Sequence, residues 1–394
     1  MITPLVYLMF IAAAPLGLSS AYLLVFTLLS ATPRPPAATA RKLKFDVIVP
    51  AHNEASVIER TVASLRKLDW PKDRFRIMVV ADNCTDATAS LVRTAGAVAL
   101  ERHDDSQRGK GYALKFGFDA SRKDGVADAV VVIDADAEVS TNLLEAFASR
   151  LERGAQAVQA HYGILNPFAS WRTRLITIAK ASFHTVRSRA RERLGVSCGI
   201  RGNGWCVSHR LLERVPYGAY SLTEDVEYGI ALGLAGVRVA YADEAHSDAD
   251  MVSGEQLANT QRQRWERGRF ELIRTRTLQL LAAAVRRRSA ICLDLALDLM
   301  VLPLSYIACY AIGLILVSAV LTAWSREFLP CLWLGIACVT MITAYVLRGW
   351  QLSGIGAQGL LDLARAPKFL FWKLLLMAQS QKKSAAWIRT EREK

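Results

Sequence analysis

The sequence predicts an α/β domain on a mostly parallel sheet, flanked by hydrophobic helices that cross a membrane. Three observations point there. Between residues 45 and 133, short apolar runs alternate with stretches of helical periodicity, the pattern of strands joined by crossover helices. Residues 1–33, 299–325 and 328–347 carry no charge, and each reaches the about 20 residues that span a bilayer core as a helix. Between them lies a charged, mixed stretch, 41–290, with four short polar motifs in fixed order. These are Asp134-Ala135-Asp136, Gly202-Asn203-Gly204-Trp205, Thr223-Glu224-Asp225 and Gln261-Arg262-Gln263-Arg264-Trp265.

The elements follow in order. Residues 5–29 form a continuous apolar span. It lacks a basic leader and is longer than the about 7–15 apolar residues of a cleaved signal, so it reads as a retained anchor. Pro33-Arg34-Pro35-Pro36 and the Ala/Thr run after it make a short stiff linker. Residues 45–49 are a buried strand ending at Pro50. A helix over 54–68 has apolar positions at Val57, Ile58, Val62 and Leu65. A strand over 75–81 ends at Asp82, a helix covers 85–94, and a short strand covers 97–100. A helix over 112–120 follows, then an apolar strand over 129–133 that ends at Asp134. Parallel sheets take ligands outside the carboxyl ends of their strands, so Pro50, Asp82 and Asp134 should line one pocket.

After Asp136 the pattern is mixed. Residues 171–193 are a basic helical stretch, either packed on the domain or lying at the membrane. Residues 355–380 interleave Leu360, Leu361, Leu363, Phe369, Leu370 and Phe371 with Arg365, Lys368 and Lys373, an interfacial pattern.

Composition narrows the function classes. Of 394 residues, 52% are hydrophobic, and the excess lies in the three uncharged stretches. The net charge of +13 collects beside those stretches, at Arg41, Lys42, Lys44, Arg286, Arg287, Arg288, Arg348, Lys368, Lys373, Lys382 and Lys383. The positive-inside bias then places the N-terminus outside, residues 41–290 in the cytosol and the loop at Ser325 outside. The same charge would attract anionic lipid heads. No motif interleaves these cations with stacking aromatics, so nucleic acid is not an expected partner. Seven scattered cysteines without a Cys-x-x-Cys pair argue against a disulfide framework or a cysteine zinc site. The six histidines show no ligand spacing along the chain.

Each motif has a plain reading. An Asp-x-Asp can be a solvated turn, Asp82 or Thr85 a helix cap, and Thr223-Glu224-Asp225 a capped first turn complementing the helix dipole. Trp205 can be core, and the arginines around Trp265 can be solvated. Taken together and in this order, the motifs resemble those of the family 2 glycosyltransferases, most of all the membrane-integrated synthase branch. That branch includes cellulose, chitin, chitin-oligosaccharide, hyaluronan and poly-N-acetylglucosamine synthases. The resemblance covers residues 45 to 394.

The resemblance implies a GT-A type nucleotide-sugar-binding domain with transmembrane and interfacial helices, and inverting transfer from a UDP-sugar. Asp136, with Asp134, would hold Mg2+ or Mn2+, because hard cations take carboxylate oxygens and neutralise the leaving diphosphate. Pro50, Ala51, Glu54 and Asp82 would form the donor turns, and Lys110 would add charge near the diphosphate. Asp225, with Glu224 beside it, would be the general base for the acceptor hydroxyl. Gln261, Arg264 and Trp265 share a helix face. Arg264 would bind pyrophosphate through its planar fork, and Trp265 would stack on the acceptor sugar. Asn203, Gly204 and Trp205 would shape the acceptor site. Trp387, Arg389 and Thr390 resemble a gating segment, although Glu391 interrupts the family's pattern.

The organisation expected is an anchor over 1–33, a cytosolic transferase domain over 41–290, and a C-terminal part, 291–394, with two spans, an interfacial helix and the gate. The setting is the cell's inner (plasma) membrane. The acceptor stays open between a growing β-linked glycan and a membrane lipid, and so does an export partner or self-association. A non-catalytic nucleotide-sugar sensor is a third reading, against which the intact acids at 134, 136 and 225 stand.

Overall fold

The computed structural model describes residues 2–251 and 255–365, which divide into two compact units. The first comprises Thr32–Pro167 and Arg191–Leu299. Its strands are β1 (Phe45–Ala51), β2 (Phe75–Asp82), β3 (Val98–Arg102), β4 (Ala129–Val132), β5 (Ala137–Val139), β6 (Ala157–His161), β7 (Trp205–Ser208) and β8 (Val239–Ala249). They form one sheet in the order β3-β2-β1-β4-β7-β6-β8-β5. The half β3-β2-β1-β4 is parallel, as the alternating pattern requires, while β7 is antiparallel to both neighbours and β5 is antiparallel to β8.

Period-two alternation puts one set of apolar residues on each face. Val47, Val49, Val79 and Val131 face one core together with Ile58, Val62, Leu65 and Phe147. Ile48, Met78, Val80, Val130 and Val132 face the other, with Leu114, Phe118, Trp205 and Tyr228. Fully burying each such aliphatic chain contributes about 1.5–3 kcal/mol. Pro50 sits inside β1, opposite Val80 of β2, but the pairing with β4 already ends at Ile48, so its missing N–H costs no ladder bond there.

Several helices start later than the sequence pattern suggests. The first begins at Ile58 rather than 54, and the Glu54 and Ala55 N–H groups before it donate to Thr88 Oγ1 (2.9 Å) and Asp86 Oδ2 (3.1 Å). The second begins at Thr88, whose N–H donates to Asp86 Oδ1 (3.0 Å). The third, Lys110–Asp124, is longer than expected and stops at Gly125 in the left-handed region.

The second unit comprises residues 2–31, 168–190 and 300–365. Three of its helices are long and apolar enough to cross a membrane: Pro4–Leu29, Leu304–Trp324 and Arg326–Ser353. The expected start at 299 gives way to Leu304, because Pro303 begins a new helix and residues 290–300 form a separate one. The last span continues past 347 through Arg348, whose guanidinium donates to Ser30 Oγ (2.8 Å). The basic stretch folds as Trp171–Lys180, a wide turn Ala181–Val186, and Arg187–Leu194. Within this unit it packs on the third span. Gly349 lies so close to Ser182 that a Cβ there would sit 1.8 Å from its Oγ, and Tyr345 OH donates to Ser182 O (2.7 Å). Of the expected interfacial stretch, Ala357–Leu363 is a short helix; the remainder from 366 lies outside the described residues.

Candidate active site

The carboxyl ends of β2, β1 and β4 lie side by side, as the strand order demands, and their turns are cross-tied. Asn53 and Asn83 both take left-handed backbone (φ 55° and 50°), which Asn tolerates better than most residues. Asn53 Oδ1 accepts from Thr85 N (2.7 Å), Asn83 Oδ1 accepts from Asp104 N (2.7 Å), and His52 Nδ1 bonds Asp82 O (2.7 Å). These three residues, to which the motif reading gave no individual role, hold the turns carrying Pro50, Ala51, Glu54 and Asp82. Asp82 is buried, and Arg102 Nη1 donates to its Oδ1 at 2.6 Å. Arg102 sits opposite Asp82 in the β2–β3 register, a pairing invisible without the fold.

The Asp134–Asp136 turn follows β4. Its backbone is fixed from three directions. Asp134 N donates to Asn203 Oδ1 (3.0 Å), Thr61 Oγ1 donates to Ala135 O (2.8 Å), and Arg60 Nη2 donates to Asp136 O (3.2 Å). Two carboxylates on a turn held this way fit a hard divalent cation.

The 203–205 segment corrects an expectation. Asn203 and Trp205 are 0% and 1% exposed, and Trp205 packs in the core against Phe118. Gly204 has φ +70°, and a Cβ on it would meet Ser247 Cβ at 2.6 Å. These residues therefore do not present side chains to an acceptor. They form the floor under Asp134, and the reason is β7, whose pairing with β4 and β6 draws them into the sheet.

Lys110 is the hub. Its Nζ lies 2.6 Å from Asp134 Oδ1 and 3.5 Å from Glu224 Oε1, and donates to Gly202 O at 2.8 Å. An ammonium has three donors, and all three face protein oxygens here. Contact with a diphosphate would be gained by giving up the longest, to Glu224. Gly111 next to it serves the protein rather than a ligand, since a Cβ there would sit 2.2 Å from Ala219 O. Tyr112 stacks on Tyr220 of the same segment, centroids 4.4 Å apart.

Glu224 and Asp225 open the helix Glu224–Leu234. Burial pushes the Glu224 carboxyl up to about 7, with Lys110 pulling it down and Asp225 adding to the rise. Burial also raises Asp225, against the pull of Lys110 and Arg201. Thr223 makes no capping bond through its side chain, contrary to the sequence reading. Its side chain packs instead on Gly268, where a Cβ would meet Thr223 Cγ2 at 2.6 Å. Gly268 belongs to the long helix Glu255–Arg287, which carries Gln261, Arg264 and Trp265. That motif's helix thus rests directly on the Thr223-Glu224-Asp225 turn. Trp265 is 42% exposed. The side chains of Gln261 and Arg264, and residues Trp387, Arg389 and Thr390, lie outside the described parts. Arg269 is not solvated, since its Nη2 donates to Asp298 O.

The profile "Glycosyl transferase family 2" matches residues 46–205, and "Glycosyl transferase family group 2" matches 129–350. Among relatives, a beta-monoglucosyldiacylglycerol synthase of Synechocystis is 27% identical over 62% of this chain and 53% of its own. Glucomannan 4-beta-mannosyltransferase 7 of Arabidopsis thaliana is 23% identical over 60% of this chain and 44% of its own. The chain spans about half the length of the curated relatives it matches. The mannosyltransferase PcManGT from Pyrobaculum calidifontis, solved with GDP-Man and Mn2+, shares the fold at TM-score 0.50 and 17% identity, covering 87% of this chain and 98% of that one.

Proposed function

The chain belongs to glycosyltransferase family 2, and on that footing we propose that it is a membrane-bound inverting glycosyltransferase moving a sugar from a UDP-sugar to a growing β-linked glycan. The observation that carries this reading is the meeting of the Asp134 and Glu224 motifs around one ammonium, Lys110. Asp134 on the donor side and Glu224 on the acceptor side then meet at one ammonium.

Asp136, with Asp134, would hold Mg2+ or Mn2+, which when bound neutralises charge building on the leaving diphosphate. The turns after β1 and β2 seat the nucleoside, with Glu54 and Asp82 at their edges. Asp225 accepts the proton of the acceptor hydroxyl as its oxygen bonds the anomeric carbon from the face opposite the diphosphate. The bond to the diphosphate breaks, and UDP departs with the electron pair. Burial suits Asp225 to this work, because a base with a raised pKa drives proton removal harder than an ordinary carboxylate. Glu224 shares its proton balance, Arg264 and Lys110 steady the diphosphate, and Trp265 offers a ring to the acceptor sugar. Asn203 acts by holding the Asp134 backbone, and Gly204 and Trp205 by pairing with Val132 just before it.

A second reading has a lipid hydroxyl as acceptor, favoured by the glycolipid synthase among the relatives. In both readings the three long apolar helices sit in the inner membrane with the transferase unit in the cytosol. Asp136→Asn should keep the fold, shown by an unchanged circular dichroism spectrum, and lose most transfer; EDTA should do the same to the native protein. Full transfer in chelator would overturn the metal assignment.

A further inference from the structure

We propose that His161, His246 and Asp248 form a second cation site, built for a zinc-like transition ion and separate from the Asp134–Asp136 turn. Along the chain these histidines show no ligand spacing. The sheet brings them together: His161 ends β6 and His246 is its partner across the β6–β8 pairing, with a register shift just before His161. Such an irregularity re-aims a side chain. Asp248 lies two residues beyond His246, on the same face of β8. One ligand atom from each of the three lies within 4.8 Å of the other two, and the two rings meet edge to face with centroids 4.8 Å apart.

The surroundings orient these groups as ligand supports do. His161 Nδ1 bonds the hydroxyl of the buried Tyr241 (3.2 Å), which directs Nε2 inward. Gly163 N donates to Asp248 Oδ1 (2.8 Å). A Cβ at Gly163 would intrude here, 2.3 Å from Asp248 Oδ1 and 3.5 Å from His161 Nε2, so only glycine keeps the space between them open. Two imidazoles and one carboxylate suit Zn2+, Co2+ or Ni2+, whereas Mg2+ prefers oxygen alone. A cation here would clamp β6 to β8 and so fix Tyr162, the residue after His161. Tyr162 Cε1 lies 3.9 Å from where a Cβ would stand on Gly202, as does Asp225 Oδ2 at 3.4 Å. The ion would steady one wall of the candidate active site without touching the reaction.

The test uses the full chain in detergent, stripped with EDTA. Zn2+ binding is read by calorimetry, and Co2+ binding by its visible d–d absorption. The expected result is one equivalent bound by the native chain and by Asp136→Asn, lost in His161→Gln and in His246→Gln. Tyr241→Phe should weaken binding about 10–100-fold. His246 is exposed, so its substitution leaves folding intact, and Zn2+ should raise the Tm of the native chain but not of His246→Gln. No stoichiometric binding by the native chain, binding that survives both histidine substitutions, or loss of the equivalent in Asp136→Asn would each overturn the proposal.

Discussion

The Lys110 ammonium feels three carboxyl groups, those of Asp134, Glu224 and Asp225. Burial disfavours its charge, yet the carboxylates outweigh that and raise its pKa, so it stays protonated throughout the working range. The acids are shifted in turn, since burial raises Glu224 and Asp225, with Lys110 the largest opposing pull on both. A protonated base cannot take a proton, so transfer should fall as pH drops through the raised pKa of the coupled acids. The acid limb of kcat/KM should lie above the about 3.9 of an ordinary Asp, because burial raises Asp225. Lys110→Met removes the group that lowers both acids, so the limb should move to higher pH. A limb near 4, or one unmoved by Lys110→Met, would show that these acids do not set the rate. At this scale the sequence singled out the candidate acids, because strand-end and helix-start acids stand in short motifs. It did not show what holds them. Asn203 and Arg102 act across strand registers that no local pattern encodes, and Trp205 looks the same in sequence whether it faces a ligand or a core.

The helix Glu255–Arg287 and the turn at Thr223 touch through Gly268, three residues after Trp265. This contact makes the position of Trp265 depend on the same turn that aims Asp225. Gly268→Ala puts a methyl 2.6 Å from Thr223 Cγ2. Overpacking of this kind costs about 1–3 kcal/mol. We expect a lower Tm and a lower transfer rate, with partial recovery in the double variant with Thr223→Ser, which deletes Cγ2. A double-mutant cycle reads this coupling; additive effects would mean the helix and turn act independently. Nearby, the fully buried Arg191 bridges Asp294 (2.7 Å) and Asp298 (2.8 Å) of helix Ala290–Met300 and ties that helix into the same unit. The existence of each early strand and helix was legible from periodicity, but helix starts were not. Glu54, Ala55 and Thr88 donate their N–H groups to side chains of Asp86 and Thr88, and such local bonds have no periodic signature.

On the scale of the whole molecule, three uncharged stretches were legible as helices long and apolar enough to cross a membrane, because such runs of about 20 residues have few other uses. The sequence reading began the second apolar stretch at 299, whereas the ion-paired helix runs to Met300 and the apolar helix starts at Leu304, after Pro303. The positive-inside bias predicts that cysteine-accessibility labelling finds Ser325 outside and residues 41–290 inside. Finding both on one side would reject a three-span topology. The central claim is that this chain transfers sugar from a UDP-sugar with Asp225 as base. Membranes bearing the native chain or Asp225→Asn, incubated with radiolabelled UDP-sugars and Mg2+ or Mn2+, test it directly when label is followed into organic-soluble, water-soluble and insoluble products. The account predicts label from at least one UDP-sugar entering a glycan fraction, at a rate about 10²–10⁴-fold lower in Asp225→Asn. Incorporation by Asp225→Asn at the native rate, or none from any UDP-sugar by the native chain, would contradict it.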